Sequence, residues 1–399
     1  MEVDSIKMQM EIVKDFSDKS EIEIKTGPFG TQLKASEYQS SGTPVLNVKN
    51  LGFSTINAEK LDKVGAETVE RLKVHLLKAG DIVFGRKGAV ERHAFISVNE
   101  EGWMQGSDCI RLRVKTDMIN PRFLSYYFLT KEHRAFMVSM CSHGTTMASL
   151  NQKILEQMCF PMPQRNIQDK IVGILERIDR KIELNNRISN NLQQQAMALY
   201  QQMFTDSPEP DWTDGSLSDI ADITMGQSPS GSSYNEGGIG TIFFQGRAEF
   251  GFRFPTIRLY TTEPKRMACT NDILMSVRAP VGDLNVAHTD CCVGRGLAAI
   301  HSKTNRQSFM LYTMFSLKKR LDVFNGEGTV FGSINRSSLN DIPVLIPSNG
   351  AIENFERIVA PMDAAIRNNY DEICRLQEIR DSLLPKLMSG EIDVSNIQL

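Results

Sequence analysis

Long apolar runs, paired cysteines and a charge of one sign are all missing from this 399-residue chain. No stretch approaches the ~20 apolar residues that a membrane-spanning helix needs. The opening MEVDSIKMQMEIVKDF alternates charges with apolar side chains, which is not the pattern of a signal peptide, so a cytoplasmic protein without a membrane partner is expected. The seven cysteines include no CxxC pair, and Cys291 and Cys292 are merely adjacent. That usage fits reduced thiols rather than a disulfide framework or a zinc site. Six histidines are scattered without an HExxH, so no metal site is expected. Forty-five Lys and Arg against 48 Asp and Glu leave a formal charge of −3. A dedicated nucleic-acid clamp is usually basic, so any such contact must come from local patches or need a partner.

Catalytic signatures are equally scarce. Gly80-x4-Gly85-Arg86-Lys87 resembles a phosphate loop, but Arg86-Lys87-Gly88 stands where Gly-Lys-Ser/Thr is required. Asn120-Pro121-Arg122-Phe123 lacks the second proline of an amino-methyltransferase motif, and it reads better as a helix start with Pro at the first position. No GxSxG or GxGxxG falls in a strand–turn–helix setting. Glu100-Glu101 sits in a polar loop and is expected to be solvated. The chain is not expected to be an enzyme by itself.

What is present is a repeat. Gly144-Thr145-x3-Ser149-Leu150-Asn151-x3-Leu155, closed by Pro163, returns as Gly328-Thr329-x3-Ser333-Ile334-Asn335-x3-Leu339, closed by Pro347, always 184 positions on. The register continues through Asp179/Asp363, Ile182/Ile366, Asn185/Asn369 and Leu199/Leu383. Before the Gly-Thr motif the copies differ in length: 117 residues separate Gly27 from Gly144, and 102 separate Gly226 from Gly328. A constant scaffold carrying variable loops is the usual division of labour in recognition proteins. A pseudo-two-fold chain suits a two-fold ligand, of which duplex DNA is the commonest.

Each copy reads as a mixed, loop-rich globular region followed by a long helix. Ile24 to Gly27, Asp81-Ile82-Val83-Phe84 and Cys109 to Val114 read as strands, with counterparts at Ile223 to Gly226, Asp272 to Met275 and Gly296 to Ile300. Ile167, Ile171, Ile174, Ile178, Ile182, Leu192, Ala196 and Leu199 form one helical stripe, and Ile352 through Leu383 form a second, with Pro385 and Gly390 punctuating its end. At about 38 residues each helix would span roughly 57 Å. Helices of that length need a partner, and antiparallel packing on each other is expected. Asn185 and Asn369 stand at equivalent positions in the two stripes. They read either as polar residues fixing the register of a coiled-coil seam or as part of a solvated face. Thr205 to Asp211, acidic and Pro-containing, is a linker by composition.

Lys25-Thr26-Gly27-Pro28-Phe29-Gly30-Thr31-Gln32-Leu33, Gly80-Asp81-Ile82-Val83 and Leu383-Leu384-Pro385-Lys386-Leu387-Met388-Ser389-Gly390-Glu391-Ile392 resemble the specificity (S) subunit of type I restriction-modification systems. The resemblance covers essentially the whole chain. It implies an α+β protein in which two mixed α/β target recognition domains form a tandem pseudo-two-fold repeat, held apart by two long helices pairing as an antiparallel coiled coil. The expected division is recognition domain 1 at 1–165, a central helix and linker at 166–206, recognition domain 2 at 207–350, and a distal helix and tail at 351–399. The implied partners are double-stranded DNA, two modification (methyltransferase) subunits, and restriction subunits in the full complex. S-adenosylmethionine belongs to the modification subunits, and ATP and Mg2+ to the partners as well. No cofactor is expected in this chain. Two other readings carry less of the pattern: a tandem coiled-coil scaffold joining two protein-binding domains, and a DNA methyltransferase or nuclease in its own right.

On this reading the DNA-contacting candidates lie in loops. In the first domain they are Lys25, Thr31, Gln32 and Lys34 of the glycine-rich loop, and Arg86 and Lys87 between glycines. Gln105 and Ser107 read bases or cap a strand. His143, Thr145 and Thr146 precede a helix start. In the second domain Gln227, Ser228, Ser230 and Ser232 replace the Pro-Phe-Gly-Thr-Gln chemistry, Arg247 and Arg253 flank an aromatic segment, Arg278 is the counterpart of Lys87, and Arg295 matches the stretch around Gln105. Thr145 and Thr329 either donate to a phosphate or cap a helix. Asn151 and Asn335 read as structural. Leu384, Leu387 and Met388 form either a surface for a partner subunit or packing against the base of the first domain.

Overall fold

The structure, a computed structural model, describes residues 9–28, 30, 32–141, 148–326 and 332–398. Two compact units result: residues up to 181 together with 375 onward, and residues 182–374. Each unit therefore contains one globular region plus the stretches of both long helices that pack against it.

In the first unit, β1 (Ile22–Thr26), β2 (Thr43–Leu46), β3 (Ile82–Gly85), β4 (His93–Phe95), β5 (Met104–Gln105) and β6 (Cys109–Val114) build two sheets. One is antiparallel in the order β1-β6-β3-β4, and in the other β2 runs parallel to β5, with Val45 opposite Met104 and Leu46 opposite Gln105. The continuous apolar run of β3 is explained by burial on both faces: Ile82, Val83 and Phe84 are all inaccessible. In β6 the arginines Arg111 and Arg113 alternate with apolar residues, yet burial does not alternate. Arg111 lies inside the protein, 1% exposed, with its guanidinium on the Glu23 carboxylate and on the Leu76 carbonyl at 3.2 Å. Asn120 caps the helix Pro121–Tyr127, accepting from the Arg122 N–H at 2.9 Å, with Pro121 at its first position as expected.

The second unit repeats this plan with β7 (Ala221–Met225), β8 (Thr241–Phe244), β9 (Ile273–Ser276), β10 (Leu284–Val286), β11 (Cys291–Val293) and β12 (Leu297–Ser302). Its antiparallel sheet runs β7-β12-β9-β10, and β8 lies parallel to β11 with Phe244 opposite Val293. The strand positions expected from the repeat are occupied in both copies.

The long helices are α1 (Arg165–Tyr200, 36 residues) and α2 (Asn349–Ser389, 41 residues). Within the second unit, Asn185 donates to Glu372 Oε2 at 2.8 Å and Asn369 donates to Ser189 Oγ at 3.1 Å, so numbers fall along α2 as they rise along α1 and the pairing is antiparallel. Asn185 is 1% exposed, which places it in the seam rather than on a solvated face. In the first unit Arg380 bonds Asp179 at 3.2 Å. Each globular region is pinned to the helices at the repeated aspartate: the Tyr126 hydroxyl donates to Asp179 at 2.7 Å, and the Tyr312 hydroxyl donates to Asp363 at 3.0 Å.

Two expectations need correction. Pro385 does not end α2, which continues to Ser389 before Gly390 turns the chain at φ +76°. The missing N–H is tolerated because the last turn is held from outside by apolar packing. That packing is the second correction. Leu384, Leu387 and Met388 are buried with Phe123, Tyr126, Ile171 and Leu175, so they form the base of the first unit and not a free surface for a partner subunit.

Candidate nucleic-acid interface

At one edge of each unit, loops from distant parts of the chain are laced together by backbone hydrogen bonds. In the first unit the Arg86 N–H reaches the Asp108 carbonyl (2.8 Å), the Leu150 N–H the Arg86 carbonyl (2.8 Å), and the Gly88 N–H the Ala148 carbonyl (3.1 Å). In the second, the Val277 N–H reaches the Gly296 carbonyl (3.0 Å), the Ile334 N–H the Val277 carbonyl (3.0 Å), and the Ala279 N–H the Gly332 carbonyl (2.9 Å). Lys87 therefore bridges to Ser149 as Arg278 bridges to Ser333, and the two basic residues hold the same place in the fold. The crossing of the first loop over its neighbour demands glycine. A Cβ on Gly27 would lie 2.0 Å from the Gly106 carbonyl oxygen, and one on Gly226 2.2 Å from that of Gly294.

The candidates divide sharply by exposure. Gln32, Lys34 and Lys87 are exposed, Lys25, Arg86 and Ser107 are half-buried, and Lys87 lies 3.9 Å from the Asp108 carboxylate. Gln105 leaves the set. It is fully buried, and its amide donates to the carbonyls of Lys25 (2.9 Å) and Cys109 (3.1 Å), so it clamps the loop from inside. Thr31, His143, Thr145, Thr146 and Thr329 lie outside the described residues. The cap that Thr145 and Thr329 were candidates for is supplied by Asn151, accepting from the Ile154 N–H at 3.1 Å, and by Asn335, accepting from the Ser338 N–H at 2.9 Å.

In the second unit Gln227, Arg247, Arg278 and Arg295 are exposed, and the half-buried Ser228 accepts from the Arg295 N–H at 3.3 Å. Ser230 and Ser232 are exposed and bond each other at 2.8 Å. Gln245, Arg247, Arg258, Arg278 and Arg295 line a cleft of about 460 Å³. Arg253 does not belong to it: its guanidinium is buried against Asp363 (2.9 Å) and Gln193 (2.9 Å). Arg258 was missed by the sequence reading. It lines the cleft while bonded to Glu249 at 2.8 Å, and nothing in its local sequence separates it from Arg253.

The interface offers guanidinium, ammonium, amide and hydroxyl donors on fixed backbones, which suits recognition of phosphates and base edges. Among the described residues no group of His, Cys, Asp and Glu is arranged to hold a metal ion, and no helix is long and apolar enough to cross a membrane. The most perturbed histidines, His93 and His133, are pulled down to about 3 by burial in the first unit's core.

Comparison with known proteins places the chain. Residues 21–194 and again 209–369 match the family described as Type I restriction modification DNA specificity domain. The MjaX specificity subunit of a type I restriction enzyme from Methanocaldococcus jannaschii is 28% identical over 404 residues, covering 96% of this chain and 93% of its own. The HindI specificity subunit of Haemophilus influenzae is 22% identical over 79% of this chain and 87% of its own. The crystal structure of a type I restriction-modification S subunit from M. genitalium superposes with a TM-score of 0.59 at 15% identity, covering 99% of both chains, and shares the fold.

Proposed function

Because the chain belongs to the type I restriction-modification DNA specificity family, with that family's non-catalytic role in DNA recognition and scaffolding, we propose that it reads a bipartite, asymmetric DNA target, one half-site per unit. Membership also implies interaction with DNA and with modification and restriction subunits. Two modification subunits, carrying S-adenosylmethionine, are proposed to dock on the frame of α1 and α2.

One observation supports the split target. The two units hold equivalent loops in the same register but arm them differently, with Lys87 and Ser107 in one and Arg278 and Arg295 in the other. Equal scaffolds with unequal donors favour two different half-sites on one duplex. The helices then act as a ruler between them, since half-sites on one face of DNA recur about every 34 Å.

Long-read mapping of methylated adenine tests this in a host carrying the modification subunit, with and without this gene. A split motif with an unspecified gap, lost on deletion, is the expected result. A contiguous motif, or none that depends on the gene, would refute the proposal. Inserting four residues after Asn190 is expected to lengthen the gap and leave both half-sites unchanged. An unaltered gap would remove the ruler while sparing the split target.

A further inference from the structure

The cleft of the second unit holds four arginines in two different states. Arg247 is paired with Asp283, and Arg258 is paired with Glu249 at 2.8 Å and Glu236 at 3.3 Å. Arg278 and Arg295 are exposed and have no carboxylate partner among the described residues. An arginine that is already satisfied shapes a site. One that is exposed and unpaired on a fixed backbone is available to a ligand.

Both backbones are fixed. The Arg295 N–H is held by Ser228 Oγ at 3.3 Å, and the neighbouring Gly294 and Gly296 N–H groups bond the Phe244 (2.8 Å) and Gln245 (3.2 Å) carbonyls. Arg278 is held on one side by the bridge to Ser333. On the other side Val277 bonds Gly296, which ties the Arg278 loop directly to the Arg295 loop. The two guanidinium groups thus stand on one hydrogen-bonded unit, from adjoining loops, over one cleft.

We infer that Arg278 and Arg295 are the base-reading side chains of the second unit and that the half-site they read contains guanine. The inference rests on the DNA-recognition reading above and names the chemistry of one half. A guanidinium fork presents donors only. In the major groove guanine alone offers two acceptors side by side, N7 and O6. Adenine offers an acceptor beside a donor, thymine an acceptor beside a methyl, and cytosine a donor. The first unit lacks this pair. Lys87, in the place of Arg278, lies 3.9 Å from Asp108, and Ser107 stands one residue beyond the Gly294-equivalent Gly106, where the second unit has Arg295. The guanine requirement carried by these two positions therefore belongs to one half-site only.

The test uses the full chain with its modification subunit and compares methylated motifs for the wild type, Arg278→Gln and Arg295→Gln. Each variant is expected to relax one G·C position, with discrimination against other bases there falling about 5- to 150-fold. Both relaxed positions should lie in the same half-site, and the other half-site should not change. A variant with no detectable methylation is then assayed by binding competition between the wild-type duplex and duplexes with each G·C pair replaced by A·T. Loss of preference at one position supports the inference. Equal weakening for every sequence, with a salt slope shallower by about one, marks phosphate contacts and overturns it. Relaxation in different half-sites, or a wild-type motif without G·C in either half, overturns it too. A wild-type chain that yields no split motif would sink the reading it rests on.

Discussion

Asp81→Asn is expected to cost the first unit about 3 kcal/mol, the scale on which breaking a buried ion pair destabilises a fold. Asp81 is 1% exposed and accepts from the Arg113 guanidinium at 2.6 and 2.7 Å, with the buried Arg111 at 4.0 Å. It also closes a turn by accepting from the Lys78 N–H at 2.8 Å. Asparagine keeps an acceptor for that turn but removes the charge, leaving Arg111 with the Glu23 carboxylate and backbone carbonyls, and Arg113 with the Leu76 carbonyl. The second unit supplies the control. Asp272 closes the same turn on the Cys269 N–H at 2.7 Å, but its partner is His301 at 2.6 Å, with a side chain 40% exposed. Asp272 is buried as well, but its partner's ring reaches solvent, so Asp272→Asn is expected to cost clearly less than Asp81→Asn. The chain's two tryptophans report the units separately, Trp103 in the first and Trp212 in the second. Urea unfolding followed by fluorescence in Trp103→Phe and Trp212→Phe backgrounds gives each unit its own midpoint. Equal losses from Asp81→Asn and Asp272→Asn would show that the turn, and not the buried charge, carries the stability.

The repeat made much of this architecture legible before any coordinates. Residues 184 apart share a place because the segment after the Gly-Thr motif packs on an unchanging frame: Asn151 and Asn335 cap equivalent helices, and Asp179 and Asp363 receive equivalent tyrosines. The pairing of Lys87 with Arg278 was legible because both follow a buried strand beside glycine or alanine. Other features were not. Gln105 sits in a two-residue strand, too short for any alternation to say which way its side chain faces. Arg253 and Arg258 have similar neighbours in sequence, and only the packing of Asp363 against the first decides which one is buried. For Leu384, Leu387 and Met388 the signal was present and unused. Their counterparts 184 residues earlier are Tyr200, Met203 and Phe204, at and just beyond the end of α1, where Tyr200 and Phe204 pack with Phe309 and Phe355. A segment apolar in both copies belongs to the repeated core.

Acid should destabilise the first unit well before the second. His93 and His133 lie in a buried aromatic group, with His133 4.6 Å from the Phe128 ring and His93 5.6 Å from that of Phe84. The Ser125 carbonyl, 3.1 Å from His93 Nε2, can only accept, so Nε2 carries the proton and the buried Nδ1 is left without a partner. Burial pulls both imidazoles from 6.5 to about 3, and for His93 the charge of His133 adds to it. Below pH 6.5 the unfolded chain protonates both rings while the folded unit refuses those protons down to about 3, and His75, lowered by burial, adds in the same direction, so the first unit's stability falls as pH falls through that window. At 1.36 kcal/mol per pH unit, His93 and His133 each cost about 2 kcal/mol at pH 5. His301 works the other way: its hydrogen bond to Asp272 raises it above 6.5, so its small contribution is present in acid and lost as pH rises through the raised value. Between pH 7.5 and pH 5 the Trp103 midpoint should therefore drop while the Trp212 midpoint holds or rises slightly. His133→Phe, which leaves the aromatic contacts and removes one titrating ring, should recover up to about half of the drop, the rest belonging to His93 and His75. If both tryptophans shift together, or if His133→Phe changes nothing, protonation of this pair is not what limits the first unit in acid.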